Sequence, residues 1–329
     1  MSLRHLLDIR SLTREQLLSL LNDSKKFVEV SRRSIKKVPA LRGKTVINLF
    51  LEASTRTRAS FEIAGKRLSA DTINLTASGS SVQKGEGLID TAKTLEAMAP
   101  DILVIRHPAS GAPHILAERI PKTSIVNAGD GMHEHPTQAL LDCLSLMERL
   151  NRTAEELSGL TVAIVGDIRH SRVARSNMWA HRLLGNSVRL VGPSTLVPDE
   201  FAGSQYFPGG VTIHHDLAEG IEGADVVMVL RMQMERQHES FVPSLDEYSR
   251  YYGLSVAKLE RFAPDAVVLH PGPANRGIEI NGALLYDKRS LVSQQVEFGV
   301  AVRMAVLFSL ATGKGALPVE PQSVEGHTQ

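Results

Sequence analysis

The hydrophobic and polar positions along the chain follow two periods. Short apolar runs predict buried strands, and segments with apolar residues three and four apart predict helices. The pattern predicts strands at 44–50, 101–107, 124–129, 160–167, 187–192, 224–230 and 265–273, and helices at 11–34, 59–68, 90–99, 136–150, 173–184 and 290–313. Strands that alternate with helices are typical of parallel α/β sheets with helices on both faces, in which ligands bind beyond the carboxyl ends of the strands.

Two local patterns refine this picture. Thr13 and Gln16 have the spacing of a capping box, so the first helix is expected to begin there. The polar segment 153–160 interrupts the alternation near the middle of the chain and is interpreted as a hinge between two α/β domains.

Length and composition agree with two soluble domains. The chain has 329 residues, of which 43% are hydrophobic and 22% charged, and its formal net charge is +1. This near balance argues against nucleic acid or an anionic membrane as a general partner. Cys143 is the only cysteine, which excludes an intrachain disulfide and suits a cytoplasmic location. We find no secretory signal at the N-terminus and no apolar run of membrane-spanning length.

The candidate chemistry begins at Ser54-Thr55-Arg56-Thr57-Arg58, which follows a predicted strand and opens a predicted helix. Free N–H groups at a helix N-terminus favour an anion, and guanidinium groups bind phosphate oxygens in pairs. A capped helix with solvated arginines would explain an isolated Ser/Thr-Arg pair equally well. Five consecutive donors at a strand-to-helix turn favour a phosphate site.

This turn carries a family resemblance. The segment 50–62, FLEASTRTRASFE, resembles the phosphate-binding signature of the aspartate and ornithine carbamoyltransferases, and the resemblance continues in order from about residue 4 to residue 312. It implies that Ser54, Thr55, Arg56 and Thr57 bind carbamoyl phosphate. It also implies domains at 1–150 plus about 291–329 for carbamoyl phosphate and at 151–290 for aspartate, with the last helix packing back on the first domain.

The resemblance assigns three further residues to the carbamoyl group: Arg106, His135 and Gln138. Arginine and imidazole N–H groups can stabilise an oxyanion, and the Gln138 side-chain oxygen can accept from the carbamoyl NH2. A metal site that includes His133 and His135 competes with this interpretation. No third ligand has suitable spacing, so we expect no metal and a structural role for His133.

The segment 78–91 resembles a loop that, in this family, reaches into the active site of a neighbouring subunit. Taken alone, it would be a flexible Gly/Ser loop with a solvated lysine. With the other motifs, the resemblance implies that Ser80 and Lys84 are contributed across a homotrimer interface and that Lys84 contacts aspartate.

The second half of the chain supplies the expected aspartate site. The resemblance implies that Arg172, Arg231 and Gln233 bind aspartate and that Arg236 supports their loop. Arg175 is expected on a solvated helix face.

The turn 270–273, HPGP, matches positions whose backbone oxygens receive the carbamoyl NH2, here at Gly272 and Pro273. Other members carry a larger residue at the position of Gly272, and the contact is expected to tolerate that difference because it is made by the backbone. A merely structural loop is the alternative. The surrounding HPGPxNRGxEI form also resembles enzymes that pair with dihydroorotase-like chains.

These assignments imply carbamoyl transfer from carbamoyl phosphate to L-aspartate, without a cofactor. Transfer to ornithine is the nearest alternative, but Lys84, Arg172 and Arg231 would repel its ammonium group. A nucleotide-binding oxidoreductase is disfavoured because the GxGxxG fingerprint is missing after the strand at 160–167. A non-catalytic scaffold protein has no positive support, because the matched residues are all present.

Overall fold

The computed structural model describes residues 3–76, 85–203, 207, 209–233 and 241–313. Two parallel sheets carry the fold. The four-stranded sheet has the order β2-β1-β3-β4 and the five-stranded sheet the order β7-β6-β5-β8-β9. The strands are β1 (Thr45–Phe50), β2 (Asp71–Thr76), β3 (Ile102–His107), β4 (Ser124–Asp130), β5 (Thr161–Val165), β6 (Ser187–Val191), β7 (Val211–His214), β8 (Val226–Val229) and β9 (Val267–Leu269).

Helices cover both faces of each sheet, as expected. They are α1 (Arg14–Arg32), α2 (Thr55–Arg67), α3 (Leu88–Ala97), α4 (Ala112–Arg119), α5 (Pro136–Leu150), α6 (Arg172–Leu184), α7 (Leu217–Ile221), α8 (Leu245–Tyr252), α9 (Val256–Phe262) and α10 (Val292–Thr312). The predicted capping box of α1 is confirmed: Gln16 N donates to Thr13 Oγ1 over 3.2 Å, and Thr13 N donates to Gln16 Oε1 over 2.9 Å.

Alternating side chains divide the core between the two faces of the first sheet. In β1, Val46 and Phe50 join the core formed with α1, α2, α5 and α10, whereas Ile47 and Leu49 face the core under α3 and α4. This alternation is the period of an extended strand, so both faces of β1 are buried.

The last helix, α10, packs against α1, α2 and α5, which confirms that the C-terminal helix returns to the first sheet. By length and hydropathy α10 could span a membrane, so the expectation that no apolar run reaches that length is wrong. Since 67% of its apolar window is buried inside the protein, α10 is a core helix. The domain boundaries at 150 and 291 remain predictions.

Each sheet has one point where the strand order reverses. These points lie between β1 and β3 and between β5 and β8. Adjacent loops leave such a point in opposite directions and open a crevice at the carboxyl ends of the strands. The segments that follow β1, β3, β5 and β8 therefore form the natural ligand site.

Candidate active site

A cavity of about 710 Å³ lies between the carboxyl ends of the two sheets. It is lined by twelve of the fourteen predicted site residues: Ser54, Thr55, Arg56, Thr57, Arg106, His135, Gln138, Arg172, Arg231, Gln233, Gly272 and Pro273. The other two, Ser80 and Lys84, lie outside the described residues, as does Arg236. Motifs spread over some 220 positions of the chain thus meet at one place.

The turn 54–58 forms the N-terminus of α2. Ser54 is the N-cap residue, but its side chain makes no capping hydrogen bond, and the first turn contains no acidic residue. The N–H groups and positive end of the helix dipole therefore face the cavity without a competing carboxylate on this turn. This is the arrangement that an anion requires.

Arg56 extends from this turn towards the second sheet. Its pKa is lowered by partial removal from solvent and by the nearby positive charge of Arg231. The electrostatic cost of holding two cations close together falls when a dianion binds near them.

Gly272 lies against the guanidinium of Arg56. The residue has φ +60°, and a Cβ at this position would collide with the guanidinium of Arg56. The predicted contact of the Gly272 backbone oxygen with the carbamoyl NH2 stays a prediction. Gly272 and Pro273 are joined by a cis peptide bond.

Glu52, which the sequence did not single out, bridges the two sheets. Its carboxylate accepts from Arg172 Nη1 over 2.8 Å and Nη2 over 2.7 Å, and from Arg106 Nη2 over 3.1 Å. Glu52 follows β1 and Arg172 opens α6 after β5, so this bidentate pair joins the loops of both sheets. The Arg172 side chain is only 4% exposed, and binding of aspartate to its guanidinium would have to compete with Glu52.

Gly129 lets the two arginines approach the main chain of the first sheet. Its φ is +116°, and an added Cβ would lie 3.1 Å from Arg172 Cζ and 3.2 Å from Arg106 Nη1. Arg106 Nη1 also donates to the carbonyl of Ala128 over 3.3 Å. The backbone at the end of β4 thus fixes Arg106 beside the cavity.

His135 is buried at the N-terminus of α5. Its backbone N–H donates to Ser176 Oγ over 2.8 Å, and Ser176 donates to Glu134 over 2.7 Å. Burial, followed by the positive charges of Arg106, Arg303 and Arg172, holds the pKa of His135 well below its ordinary value. The imidazole is therefore neutral near pH 7 and offers one N–H donor.

Arg303 is a second residue that sequence reasoning missed. It lies on α10, lines the cavity and is only 3% exposed. Nη1 donates to the carbonyl of Gly299 over 2.9 Å, and the guanidinium lies 5.1 Å from the ring centre of Phe61. An arginine within a mainly apolar helix is the only sequence signal for it.

Arg175 does not lie on a solvated face: it donates to the carbonyls of Met132, Arg169 and Ser171, and burial lowers its pKa to about 10. His133 Nδ1 lies 3.1 Å from Asp130 Oδ2, and His133, unlike His135, does not line the cavity.

Among the described residues, His133, Asp130 and His114 have side-chain atoms close enough to suggest metal ligands. Both Asp130 oxygens already accept from N–H groups, including those of Gly111 and Glu134, and none of the three residues lines the cavity.

Comparison with known proteins identifies the two halves of the chain. Residues 4–148 match the family model for the aspartate/ornithine carbamoyltransferase carbamoyl-P binding domain, and residues 158–310 match the model for the Asp/Orn binding domain. The aspartate carbamoyltransferase catalytic subunit of Syntrophotalea carbinolica is 54% identical over 313 residues, covering 94% of this chain and 96% of that protein.

Solved structures agree on the fold. Aspartate transcarbamoylase from Trypanosoma cruzi in complex with carbamoyl phosphate and aspartate superposes with a TM-score of 0.80 at 27% identity, covering 93% of this chain and 96% of that chain. Ornithine carbamoyltransferase from Pyrococcus furiosus gives the same TM-score and identity, covering 93% and 97%. The backbone alone therefore does not separate the two acceptors. With both family models matched across the length of the two sheets, the chain belongs to the aspartate/ornithine carbamoyltransferase family.

Proposed function

We propose that this chain transfers the carbamoyl group of carbamoyl phosphate to the α-amine of L-aspartate, giving N-carbamoyl-L-aspartate and phosphate. This reaction is an early step of de novo pyrimidine biosynthesis. The observation that carries the proposal is one cavity in which Arg56 and Arg106 from the first sheet meet Arg172 and Arg231 from the second. Such a site favours two anionic substrates side by side.

The phosphate end of the donor binds at 54–58. The α2 N-terminus supplies N–H donors, the Ser54, Thr55 and Thr57 side chains supply hydroxyls, and Arg56 supplies a planar pair of N–H groups. Charge-assisted hydrogen bonds of this kind are about twice as strong as neutral ones.

The carbamoyl end lies beside Arg106, His135 and Gln138. As the amine attacks the carbamoyl carbon, negative charge develops on the carbonyl oxygen. Arg106, the neutral imidazole of His135 and Thr57 stabilise that charge. One preorganised donor of this type typically contributes about 10²–10³ in rate. Gln138 and the backbone oxygens of Gly272 and Pro273 accept from the NH2 group.

Aspartate binds on the second-sheet side. Arg231 and Gln233 follow β8 and line the cavity, where they hold the side-chain carboxylate. Arg172 contributes its charge and, by exchanging contacts with Glu52, a direct hydrogen bond. The ammonium group of ornithine would face these cations, so aspartate is preferred. The 54% identity with an aspartate enzyme supports the same choice.

The reaction is a direct displacement. The neutral α-amine attacks, the phosphate held at 54–58 leaves, and that phosphate takes the amine proton. No covalent enzyme intermediate, cofactor or metal ion takes part. The acceleration comes from positioning and preorganised charge, and bound phosphate favours closure of the two domains over the site.

The assembly follows from the same family pattern. The proposal includes a cytoplasmic homotrimer in which Ser80 and Lys84 serve the neighbouring site, with Lys84 contacting aspartate. The trimer is proposed to join a dihydroorotase-like or regulatory chain. Reassociated hybrids of Lys84→Ala and His135→Ala chains should regain activity, because one interface then carries an intact pair. Hybrids no more active than mock-treated parents would exclude a shared site.

Initial rates with the purified protein test the function itself. Carbamoyl phosphate is supplied with either L-aspartate or L-ornithine, and the ureido product is measured by colorimetry. We expect carbamoyl-aspartate to form at least about 100-fold faster, since a site built for one charged group rejects its opposite strongly. Equal rates with both amines, or no product with aspartate, would refute the proposal.

A further inference from the structure

Asp142 is a fully buried carboxylate one helical turn after Gln138 on α5. Three side-chain amides donate to it. Gln138 Nε2 and Gln295 Nε2 donate to Oδ1 over 2.9 and 2.7 Å, and Asn177 Nδ2 donates to Oδ2 over 2.9 Å. These residues come from α5, α10 and α6, so one carboxylate joins helices that pack against both sheets.

An ionised carboxylate only accepts hydrogen bonds. Each amide must therefore turn its NH2 group towards Asp142 and its oxygen away. Because Gln138 lines the cavity, the polar atom that it leaves for a ligand is Oε1, an acceptor.

Gln295 connects Asp142 to the turn 270–273, because the orientation of its amide also decides which atom faces that turn. Gln295 Oε1 accepts from the backbone N–H of His270 over 3.0 Å. His270 Nδ1 in turn accepts from the backbone N–H of Gly272 over 2.8 Å. If Gln295 were reversed, its NH2 would face the His270 N–H and this connection would break.

We propose that Asp142 sets the hydrogen-bond polarity of the subsite for the carbamoyl NH2, from Gln138 on one side and from the 270–273 turn on the other. It is a positioning residue for donor specificity. The inference rests on the proposed function, because it assigns a selectivity to the same cavity. It predicts that, because of Asp142, the cavity binds a donor bearing NH2 more tightly than an otherwise similar donor bearing CH3.

The ionisation state of Asp142 agrees with this role. Burial raises its pKa to about 6, opposed by the three amide donors and by the charge of Arg303. The carboxylate is therefore the prevailing form at pH 7 to 8, where the three amides keep the orientation described.

Acetyl phosphate is the probe for this role, because it replaces the carbamoyl NH2 with CH3 and keeps the phosphate. We define the selectivity as the Kd of acetyl phosphate divided by the Kd of carbamoyl phosphate, measured by calorimetry on the intact assembly. Inorganic phosphate is the internal reference, since it reports only on 54–58. A merely structural role for Asp142 would weaken all three ligands alike.

Two substitutions separate the acceptor from the packing. Asp142→Ala removes every acceptor, so the selectivity should fall about tenfold or more, because sites with a dedicated hydrogen-bond partner discriminate most strongly. Asp142→Asn should keep the selectivity within about threefold. The single oxygen of the asparagine can take the place of Asp142 Oδ1 and accept from both glutamines, provided that Asn177 reverses its amide. If the asparagine turned its NH2 group towards the glutamines instead, both of them would have to reverse. Cys143→Ala, also buried on α5, is the control for a core substitution and should leave the selectivity unchanged.

The outcomes distinguish the inference from the function beneath it. If the wild-type protein forms no carbamoyl-aspartate, the proposed function fails. If it forms the product but does not bind carbamoyl phosphate more tightly than acetyl phosphate, the role of Asp142 is refuted while the function stands. If the wild-type protein prefers carbamoyl phosphate and Asp142→Ala keeps the full selectivity with unchanged phosphate affinity, the role of Asp142 is also refuted. Loss of selectivity in Asp142→Asn equal to that in Asp142→Ala would also refute it. If Asp142→Ala does not fold, Gln295→Met breaks the arm through His270, and an unchanged selectivity in that variant would overturn the proposal.

Discussion

Replacement of Glu52 by glutamine should disable the cavity without unfolding the chain. The Glu52 carboxylate accepts both terminal nitrogens of Arg172, at 2.8 and 2.7 Å, and one of Arg106. A glutamine keeps one oxygen but turns an NH2 group towards a guanidinium donor. Arg172 and Arg106 would then lose a shared counter-charge and the geometry that holds them beside the reacting groups.

The side-chain exposures set the size of the effect. Arg172 is 4% exposed and Arg106 11%, but Glu52 is 23% exposed. Breaking a fully buried pair costs about 3–5 kcal/mol, and we take about 2–3 kcal/mol here because Glu52 remains partly hydrated. If the same energy is lost from stabilisation of the transition state, kcat/KM falls by about 30- to 150-fold.

The assay is steady-state kinetics with each substrate varied in turn, together with the urea midpoint of unfolding. Glu62→Gln is the matched control, because Glu62 forms an exposed pair with Lys66 on α2 and lies outside the cavity. It should leave kcat/KM within about twofold of wild type, because Glu62 does not line the cavity; loss of the exposed pair should cost only about 0–1 kcal/mol in the free energy of unfolding. A Glu52→Gln enzyme within threefold of wild type would refute the bridging role.

Four further substitutions test other parts of the site. Arg56→Ala should lower kcat by about 10²–10³ through loss of a transition-state donor, with the urea midpoint retained, and near wild-type turnover would exclude the phosphate assignment. Arg231→Ala should raise the KM for aspartate far more than that for carbamoyl phosphate, and equal increases would contradict the pocket assignment. Gly129→Ala should lower kcat/KM at least about tenfold, because φ +116° strains any other residue and the new Cβ would press on Arg172; unchanged kinetics would count against that contact. Burial raises the pKa of Glu134 from 4.5 to about 7, so the folded protein binds this proton more tightly than the unfolded chain does. This proton binding adds to the free energy of unfolding below about pH 4.5, and the contribution is lost as the pH rises through about 7. Glu134→Gln should therefore lose less stability than wild type between pH 5 and 7.5 in urea unfolding, and parallel curves would contradict the raised pKa.

The sequence predicted the elements whose side chains are mostly buried. The strand Thr45–Phe50 and the helix Pro136–Leu150 have nearly unbroken buried faces, and their limits were predicted to within one residue. The edge strand Asp71–Thr76 was missed because its side chains are polar or partly exposed and lack an apolar run. Its place in the sheet is determined by pairing with β1, which is a tertiary contact.

The site shows the same division between local and distant information. Motifs that begin helices or follow strands, such as 54–58, predicted the anion site because their chemistry is local. Glu52 is part of the same motif but was not recognised, because its role depends on Arg172, 120 positions away. Asp142 and Arg303 were missed for a similar reason: each is a polar residue within an apolar helix, and only packing shows what it contacts.

The measurement that tests the central claim most directly is binding of N-(phosphonacetyl)-L-aspartate, which joins a phosphonate and an aspartate in one molecule. Calorimetric titration is carried out on wild type, Arg56→Ala and Arg231→Ala, with Glu62→Gln as the control. If one cavity between the two sheets holds both substrates, wild type binds one molecule per chain, and each arginine variant binds at least about 30-fold more weakly, as expected when a charged hydrogen bond is lost. Binding that is weakened by Arg56→Ala but unaffected by Arg231→Ala would contradict the account, because the aspartate half of the molecule would then lie outside this cavity.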